Sequence, residues 1–180
     1  MISPKNLYAI AGRGTSKTVD IQAERTQDLA YEMPGAPMAF VSDTYMNLHK
    51  NVFPSLIEGL EFKGWKYGEH YVIEEKPPAH FNETYNRFLS FKHTMILHTG
   101  TNYTLVSLDR PSAAAGRSYC HLQGDEVKYF PEDKIAKLTK AVRGYTVKFG
   151  RSPLYRGHTM TTDMPNPNNV GEHSWLLKMM

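Results

Sequence analysis

Residues 11–18 read AGRGTSKT, and they depart in two places from the usual phosphate-binding loop. That loop has the pattern Gly, four residues, Gly-Lys and then Ser or Thr. Here Ala11 stands at the first glycine position and Ser16 at the second. The positions that remain are Gly12, Gly14, Lys17 and Thr18. The octapeptide is therefore either a variant nucleotide site or a basic turn that looks like one.

The segments on both sides give this loop the context that a phosphate site needs. Residues 6–10, NLYAI, are short and apolar and predict a buried strand. From 18 to 33 the apolar residues recur at mostly helical spacing, and Pro34-Gly35 predicts the end of that helix. A loop between a strand and a helix N-terminus offers backbone N–H groups to phosphate oxygens. Ser16 in place of glycine is compatible with this function if its φ is negative.

The rest of the chain alternates between the two kinds of pattern. Helices are predicted at 45–64, where Pro54 is expected to kink or break the helix, and at 132–145. Residues 99–102 predict a hairpin. Strand-like runs occur at 36–44, 70–75, 87–100, 101–109, 119 to about 124, and 156–165. This alternation predicts an α/β fold with a central, mainly parallel sheet flanked by helices.

The composition of the chain is typical of a globular protein domain. With 180 residues and 41% hydrophobic residues, the chain is predicted to form one globular domain. It has no apolar run of about 20 residues, so no membrane contact is expected. The single cysteine, Cys120, excludes an internal disulfide, and the net charge of +3 permits an acidic partner such as DNA without requiring one. The eight histidines are scattered and lack neighbouring cysteine pairs, so no zinc site is expected.

Two later motifs offer partners for the loop. Asp125 and Glu126 follow a predicted strand, where Asp can hold a Mg²⁺ shell and Glu can activate water. Adjacent strand residues face opposite sides, but both can reach one site where the backbone turns at the end of a strand. Thr161 and Thr162 lie at the end of another strand-like run. Taken alone, the acidic pair is more often solvated, and the threonines fit a polar strand end before a proline turn.

The ordered set is more specific than any of its parts. The Gly-Arg-Gly loop, the stretch SAAAGRSYCHLQGDE at 112–126 and the stretch RGHTMTTDMP at 156–165 together resemble the ATPase domain of the phage terminase large subunit, a DNA-packaging motor. The resemblance covers roughly residues 6–170. It implies a P-loop NTPase fold with ATP and Mg²⁺ as cofactors.

The resemblance also implies residue roles. Lys17 and Arg13 would contact phosphate in catalysis, Thr18 and Asp125 would hold Mg²⁺, and Glu126 would be the general base. Thr161 and Thr162 would form the coupling motif that transmits phosphate release. The neighbouring subunit would supply a catalytic arginine, for which Arg110 and Arg117 are the candidates. The nucleotide-binding loop as a whole would comprise Ala11, Gly12, Arg13, Gly14, Thr15, Ser16, Lys17 and Thr18.

At the level of assembly, the resemblance implies a homo-oligomeric ring on a portal, working with a small terminase subunit in the cytoplasm of an infected bacterium. Contact with double-stranded DNA would be independent of sequence. Residues 1–180 would form a single ATPase domain, expected to be a fragment without the nuclease domain and therefore without nuclease activity. Two alternatives stay open: another P-loop ATPase, such as a helicase-like translocase, or a non-catalytic domain that binds nucleic acid or protein.

Overall fold

The structure is a computed structural model that describes residues 4–12, 14–109, 116–166, 168–169 and 175. The strands are β1 (Asn6–Ala11), β2 (Pro37–Ser42), β3 (Tyr71–Ile73), β4 (Thr94–Leu97), β5 (Asn102–Ser107), β6 (His121–Asp125) and β7 (Gly157–Asp163). The α-helices are α1 (Ala23–Glu32), α2 (Tyr45–Asn47), α3 (Phe53–Phe62), α4 (Glu132–Thr139) and α5 (Thr146–Phe149). Two π-helical segments precede α1 and α3, at Thr18–Gln22 and Leu48–Val52, and a 3₁₀ turn lies at Val127–Tyr129.

The seven described strands form one sheet in the order β1-β7-β6-β2-β5-β4-β3. Pairing is parallel from β1 through β5, and the hairpin of β4 with β5 and the pair of β3 with β4 are antiparallel. The predicted α/β fold with a mainly parallel sheet is confirmed. The parallel strands end at one edge of the sheet, so the residues that follow β1, β6 and β7 meet there.

Side-chain alternation on β2 divides the core into two layers. Met38 and Phe40 pack on one face with α1 and α3, whereas Ala39 and Val41 pack on the other face with α4. All six residues of β2 are buried, as expected for a parallel strand covered by helices on both sides. No described helix is both long and apolar enough to cross a membrane.

The first strand is less buried than its sequence predicts. Among the described residues β1 pairs only with β7, and its residues are exposed or half-buried. Tyr8 is 39% exposed. Local hydrophobicity identified the strand correctly, but burial depends on the position of the strand in the sheet, and β1 lies at the edge.

Pro54 does not break the predicted second helix. The chain stays helical from Tyr45 to Phe62, and the π-helical segment ends just before Pro54, which lies in the first turn of α3. A missing N–H costs little in that turn. The last predicted helix is shorter than expected: α4 ends at Thr139, and Tyr145 has a φ of +58° before α5 begins.

Helix α3 supports the segment that follows the phosphate loop. A Cβ added to Gly59 would lie 2.0 Å from the carbonyl oxygen of Val19, so only glycine permits this close approach. Val19 belongs to the π-helical segment that begins at Thr18. The packing of α3 therefore sets the position of the loop's own helix.

Candidate active site

The loop after β1 adopts a conformation that favours glycine at two positions. Gly14 has a φ of +78° and Ser16 a φ of +54°. The negative φ that the sequence analysis set as a condition for Ser16 is not observed. Ser16 retains the left-handed backbone for which the usual motif has glycine, and its carbonyl accepts a hydrogen bond from the Asp20 N–H at 2.8 Å. Arg13 lies outside the described residues.

We expect Ser16→Gly to stabilise the protein by about 1 kcal/mol. A left-handed conformation costs an ordinary residue roughly 1–2 kcal/mol, and the greater freedom of glycine in the unfolded chain offsets part of that gain. Urea unfolding measures the difference. Ser16→Ala is the matched control, because it removes the hydroxyl and keeps the Cβ. An equal gain in Ser16→Ala would show that the backbone angle is not the cause.

Lys17 is held by an acidic residue that the sequence analysis did not select. Its Nζ lies 2.7 Å from Asp163 Oδ1 and 2.8 Å from the Gly12 carbonyl oxygen, and Lys17 is 8% exposed. Asp163 ends β7 and stands opposite Ala11 in the parallel register of β1 and β7. The available signal was its position directly after the two threonines, at the end of a strand predicted to neighbour the site.

The carboxylate of Asp125 accepts hydrogen bonds from three other predicted residues. Thr18 Oγ1 donates to Asp125 Oδ2 at 2.5 Å, and Thr161 Oγ1 donates to Oδ1 at 2.6 Å. The Glu126 N–H also donates to Oδ1, at 2.9 Å. Thr18 and Asp125 present adjacent oxygen atoms, which are the ligands that Mg²⁺ prefers, so the donor set fits that ion.

Glu126 turns onto the same side as Asp125 because strand β6 ends there. Its φ of +54° reverses the alternation of the strand, and both side chains line one cavity of about 190 Å³ with the loop. Its Oε2 atom is buried, without a hydrogen-bond partner in the described part of the chain. Burial, then Asp125 and Asp163, raises the pKa of Glu126 against the opposing effect of Lys128 and Lys17. A carboxylate with a raised pKa beside a cavity suits a general base.

The two threonines of the proposed coupling motif have different contacts. Thr161 contacts Asp125 directly, whereas Thr162 Oγ1 accepts a hydrogen bond from the Lys128 N–H at 3.2 Å. Both threonines are fully buried. Thr161 is thus placed to respond to changes at Asp125, and Thr162 is tied to the turn that follows Glu126.

A buried chain of amides connects the loop's helix to β6. Gln22 Nε2 donates to Thr161 Oγ1 and to the Gly124 carbonyl oxygen, each at 2.8 Å. Gln123 Nε2 donates to Gln22 Oε1 at 2.7 Å, and the Tyr103 hydroxyl donates to Gln123 Oε1 at 2.5 Å. Such a fully paired buried network fixes one arrangement of its elements. The sequence analysis did not predict these partners, and Gln22 lies 101 residues before Gln123.

Internal hydrogen bonds of this kind also explain why β6 is less apolar than most central strands. His121 is fully buried, with its ring nitrogens 2.9 Å from the Leu154 carbonyl oxygen and 3.0 Å from Thr159 Oγ1. Burial lowers the pKa of His121 to about 3, so the ring is neutral. The polar residues of this strand are therefore hydrogen-bonded inside the protein.

The two candidate arginines are not placed in the cavity by this structure. Arg117 donates from Nη1 to Thr104 Oγ1 at 3.1 Å, and it does not line the cavity beside residues 14–18. Arg110 lies outside the described residues. A role for either in a neighbouring subunit stays a prediction.

Comparisons of sequence found no known protein family and no curated protein that matches the chain. Solved structures do match. The large terminase of a thermophilic bacteriophage superposes with a TM-score of 0.63 at 11% identity, covering 91% of this chain and 34% of that one. The same terminase in complex with ADP gives a TM-score of 0.58 at 11% identity, covering 89% of this chain and 33% of that one.

The large terminase ATPase domain of Thermus phage P74-26 gives a TM-score of 0.54 at 14% identity, covering 89% of this chain and 60% of that one. The chain thus spans about a third of the first terminase and three fifths of the Thermus phage domain. It has the fold of the ATPase domains of phage large terminases.

Proposed function

We propose that this chain binds Mg-ATP in the cavity beside residues 14–18 and hydrolyses it. The observation that carries the proposal is that Thr18 and Thr161 both donate hydrogen bonds to the carboxylate of Asp125. Lys17 and Glu126 line the same cavity as Thr18 and Asp125. Two strands, β6 and β7, and the helical segment that begins at Thr18 deliver these groups. The ADP complex of the thermophilic bacteriophage's terminase, which has the same fold, supports a nucleotide as the ligand.

Each residue has a distinct task in this proposal. Lys17 exchanges Asp163 for the phosphate oxygens, and the loop N–H groups bind the same phosphates. Thr18 and Asp125 would hold the magnesium ion, which neutralises phosphate charge when bound. Glu126 accepts a proton from the attacking water, because its carboxylate faces the cavity and its raised pKa makes it a better base.

For the finer function we propose a DNA-packaging motor of the terminase kind. Loss of the terminal phosphate returns Lys17 to Asp163, which lies two residues after Thr161 on β7. That exchange links the state of the nucleotide to the coupling strand. The ring on a portal, the small terminase subunit, the double-stranded DNA and the cytoplasm of an infected bacterium belong to this proposal. DNA-stimulated hydrolysis that falls steeply with salt would support it.

Thermal unfolding with and without Mg-ATPγS tests the nucleotide site first. We expect wild type to be stabilised by about 2.7 kcal/mol at a hundredfold excess over Kd, and Lys17→Ala to lose that gain. The ligand-induced difference is the measured quantity, because Lys17→Ala also leaves Asp163 without its partner and lowers basal stability. Lys66→Ala, at a lysine that is 70% exposed, is the matched control.

The outcomes separate the remaining alternatives. No stabilisation of wild type at saturating Mg-ATPγS would contradict the proposed function and favour a non-catalytic domain. Equal stabilisation of wild type and Lys17→Ala would place the ligand elsewhere on the protein. Stabilisation of wild type and of Lys66→Ala, but not of Lys17→Ala, would support the loop as the phosphate site.

A further inference from the structure

Three side chains outside the nucleotide cavity bring their ligand atoms together. They are His49, Glu74 and His93, and one ligand atom from each lies within 4.8 Å of the other two. His93 Nδ1 is 3.1 Å and His49 Nε2 is 3.9 Å from Glu74 Oε1. His49 belongs to the π-helical segment before α3, Glu74 follows β3, and His93 precedes β4. The scattered positions in the sequence gave no sign of this grouping.

We propose that His49, Glu74 and His93 form a binding site for a divalent transition-metal cation, with Zn²⁺ the best fit. Two imidazole nitrogens and one carboxylate oxygen are a donor set for zinc, and magnesium instead prefers oxygen alone. Three protein ligands leave one tetrahedral position for water. The side chains are between 30% and 37% exposed, so water reaches that position.

The local backbone holds two of the ligands in place. Glu74 and His93 have φ values of +56° and +57°, which are uncommon for residues other than glycine. The His93 N–H donates to Glu74 Oε1 at 2.9 Å, and the Glu74 N–H donates to the Thr94 carbonyl oxygen at 2.8 Å. Strain of this kind persists where the surrounding structure imposes it, and it is concentrated at functional positions.

The His93 ring is also held in orientation by a neighbouring aromatic ring. His93 stacks on Tyr45 with centroids 4.2 Å apart and planes 17° apart. The Nδ1 atom of His93 is buried, and within the described ranges it makes no hydrogen bond, although Glu74 Oε1 is close. This ring nitrogen faces the Glu74 carboxylate at 3.1 Å, so both atoms are positioned to bind the same cation.

A bound cation would join three parts of the fold. It would tie the helix that runs from Tyr45 to Phe62 to the ends of β3 and β4. The ligands share no residue with the cavity that Lys17 and Asp125 line. The proposal therefore stands independently of the proposed nucleotide chemistry, and metal binding is expected in the absence of ATP.

Titration of the chelator-treated protein with ZnCl₂ tests the site by calorimetry, with Co²⁺ absorption as a second readout. We expect one zinc per chain, a rise in melting temperature, and visible absorption bands with Co²⁺ that report tetrahedral coordination. His49→Gln and Glu74→Gln should each weaken zinc binding at least tenfold. His49→Gln is the first variant to test, because His49 lacks the strained backbone of the other two ligands.

Two control variants make the result specific. His70→Gln alters a histidine that lies near His98 and Trp65 instead, and Asp125→Asn alters the proposed magnesium ligand. Both should bind zinc as wild type does. The metal-free melting temperature of each variant shows that it is folded. Absence of zinc binding in folded wild type, or equal affinity in wild type, His49→Gln and Glu74→Gln, would overturn the proposal.

Discussion

Glu126→Gln is expected to bind Mg-ATP at least as tightly as wild type does and to hydrolyse it at least about a hundredfold more slowly. The amide has nearly the same shape as the carboxylate but cannot accept a proton from water at neutral pH. Because Glu126 Oε2 makes no hydrogen bond within the described residues, the substitution breaks no contact seen there. Removal of a charge near Asp125 and Asp163 also favours binding of the anionic nucleotide.

Single-turnover hydrolysis with protein in excess of labelled ATP is the appropriate measurement, because it detects slow cleavage in the absence of an arginine from a neighbour. Glu58→Gln, on an exposed part of α3, is the matched control and should retain the wild-type rate. Equal rates for wild type and Glu126→Gln would place the base elsewhere. Loss of nucleotide binding in Glu126→Gln would mean that the carboxylate supports the cavity instead of the chemistry.

Asp163→Asn is expected to act in opposite directions on the free and the nucleotide-bound protein. Removing one partner of a buried ion pair costs about 3–5 kcal/mol, and the cost is at the low end here because the pair borders the cavity. Lys17 is 8% and Asp163 15% exposed. The same substitution frees Lys17 for phosphate and removes a repelling charge, so nucleotide affinity should rise by about tenfold or more.

Urea unfolding measures the first effect, and titration with Mg-ATPγS measures the second. Asp133→Asn is the control, because Asp133 pairs with Lys137 at 3.4 Å on an exposed helix face. It should change stability by less than about 1 kcal/mol and affinity not at all. If Asp163→Asn weakened nucleotide binding, Asp163 would be a ligand of the nucleotide complex and not a competitor for Lys17.

The sequence predicted those site residues that belong to short, recognisable motifs. Lys17 and Thr18 follow a glycine-containing turn between a strand and a helix, and Asp125 ends a strand with Glu126 after it. Because parallel strands end at one edge, their meeting could be anticipated. Asp163 could not be selected in the same way, since its pairing with Lys17 depends on the neighbouring positions of β1 and β7.

Other features depended on geometry that no short stretch encodes. The backbone of Ser16 follows the motif, although its side chain does not. Gln22 and Gln123 read as ordinary polar residues until the fold brings the π-helical segment Thr18–Gln22 beside β6. Glu74 and His93 become neighbours through the pairing of β3 with β4, and His49, 44 positions before His93, reaches them from the π-helical segment before α3. For the glutamines and the histidines, the missing information was which elements become neighbours.

The edge position of β1 has a consequence for the protection of its main-chain amides. Within the described ranges, β7 alone is hydrogen-bonded to this strand, so about half of the β1 amides lack a partner in the sheet and should exchange with deuterium rapidly. The β1 amides that are hydrogen-bonded to β7 should exchange slowly. A displacement of β7, which pairs with β6 as well as with β1, would be carried to the residues after β1 through the main-chain hydrogen bonds between β1 and β7.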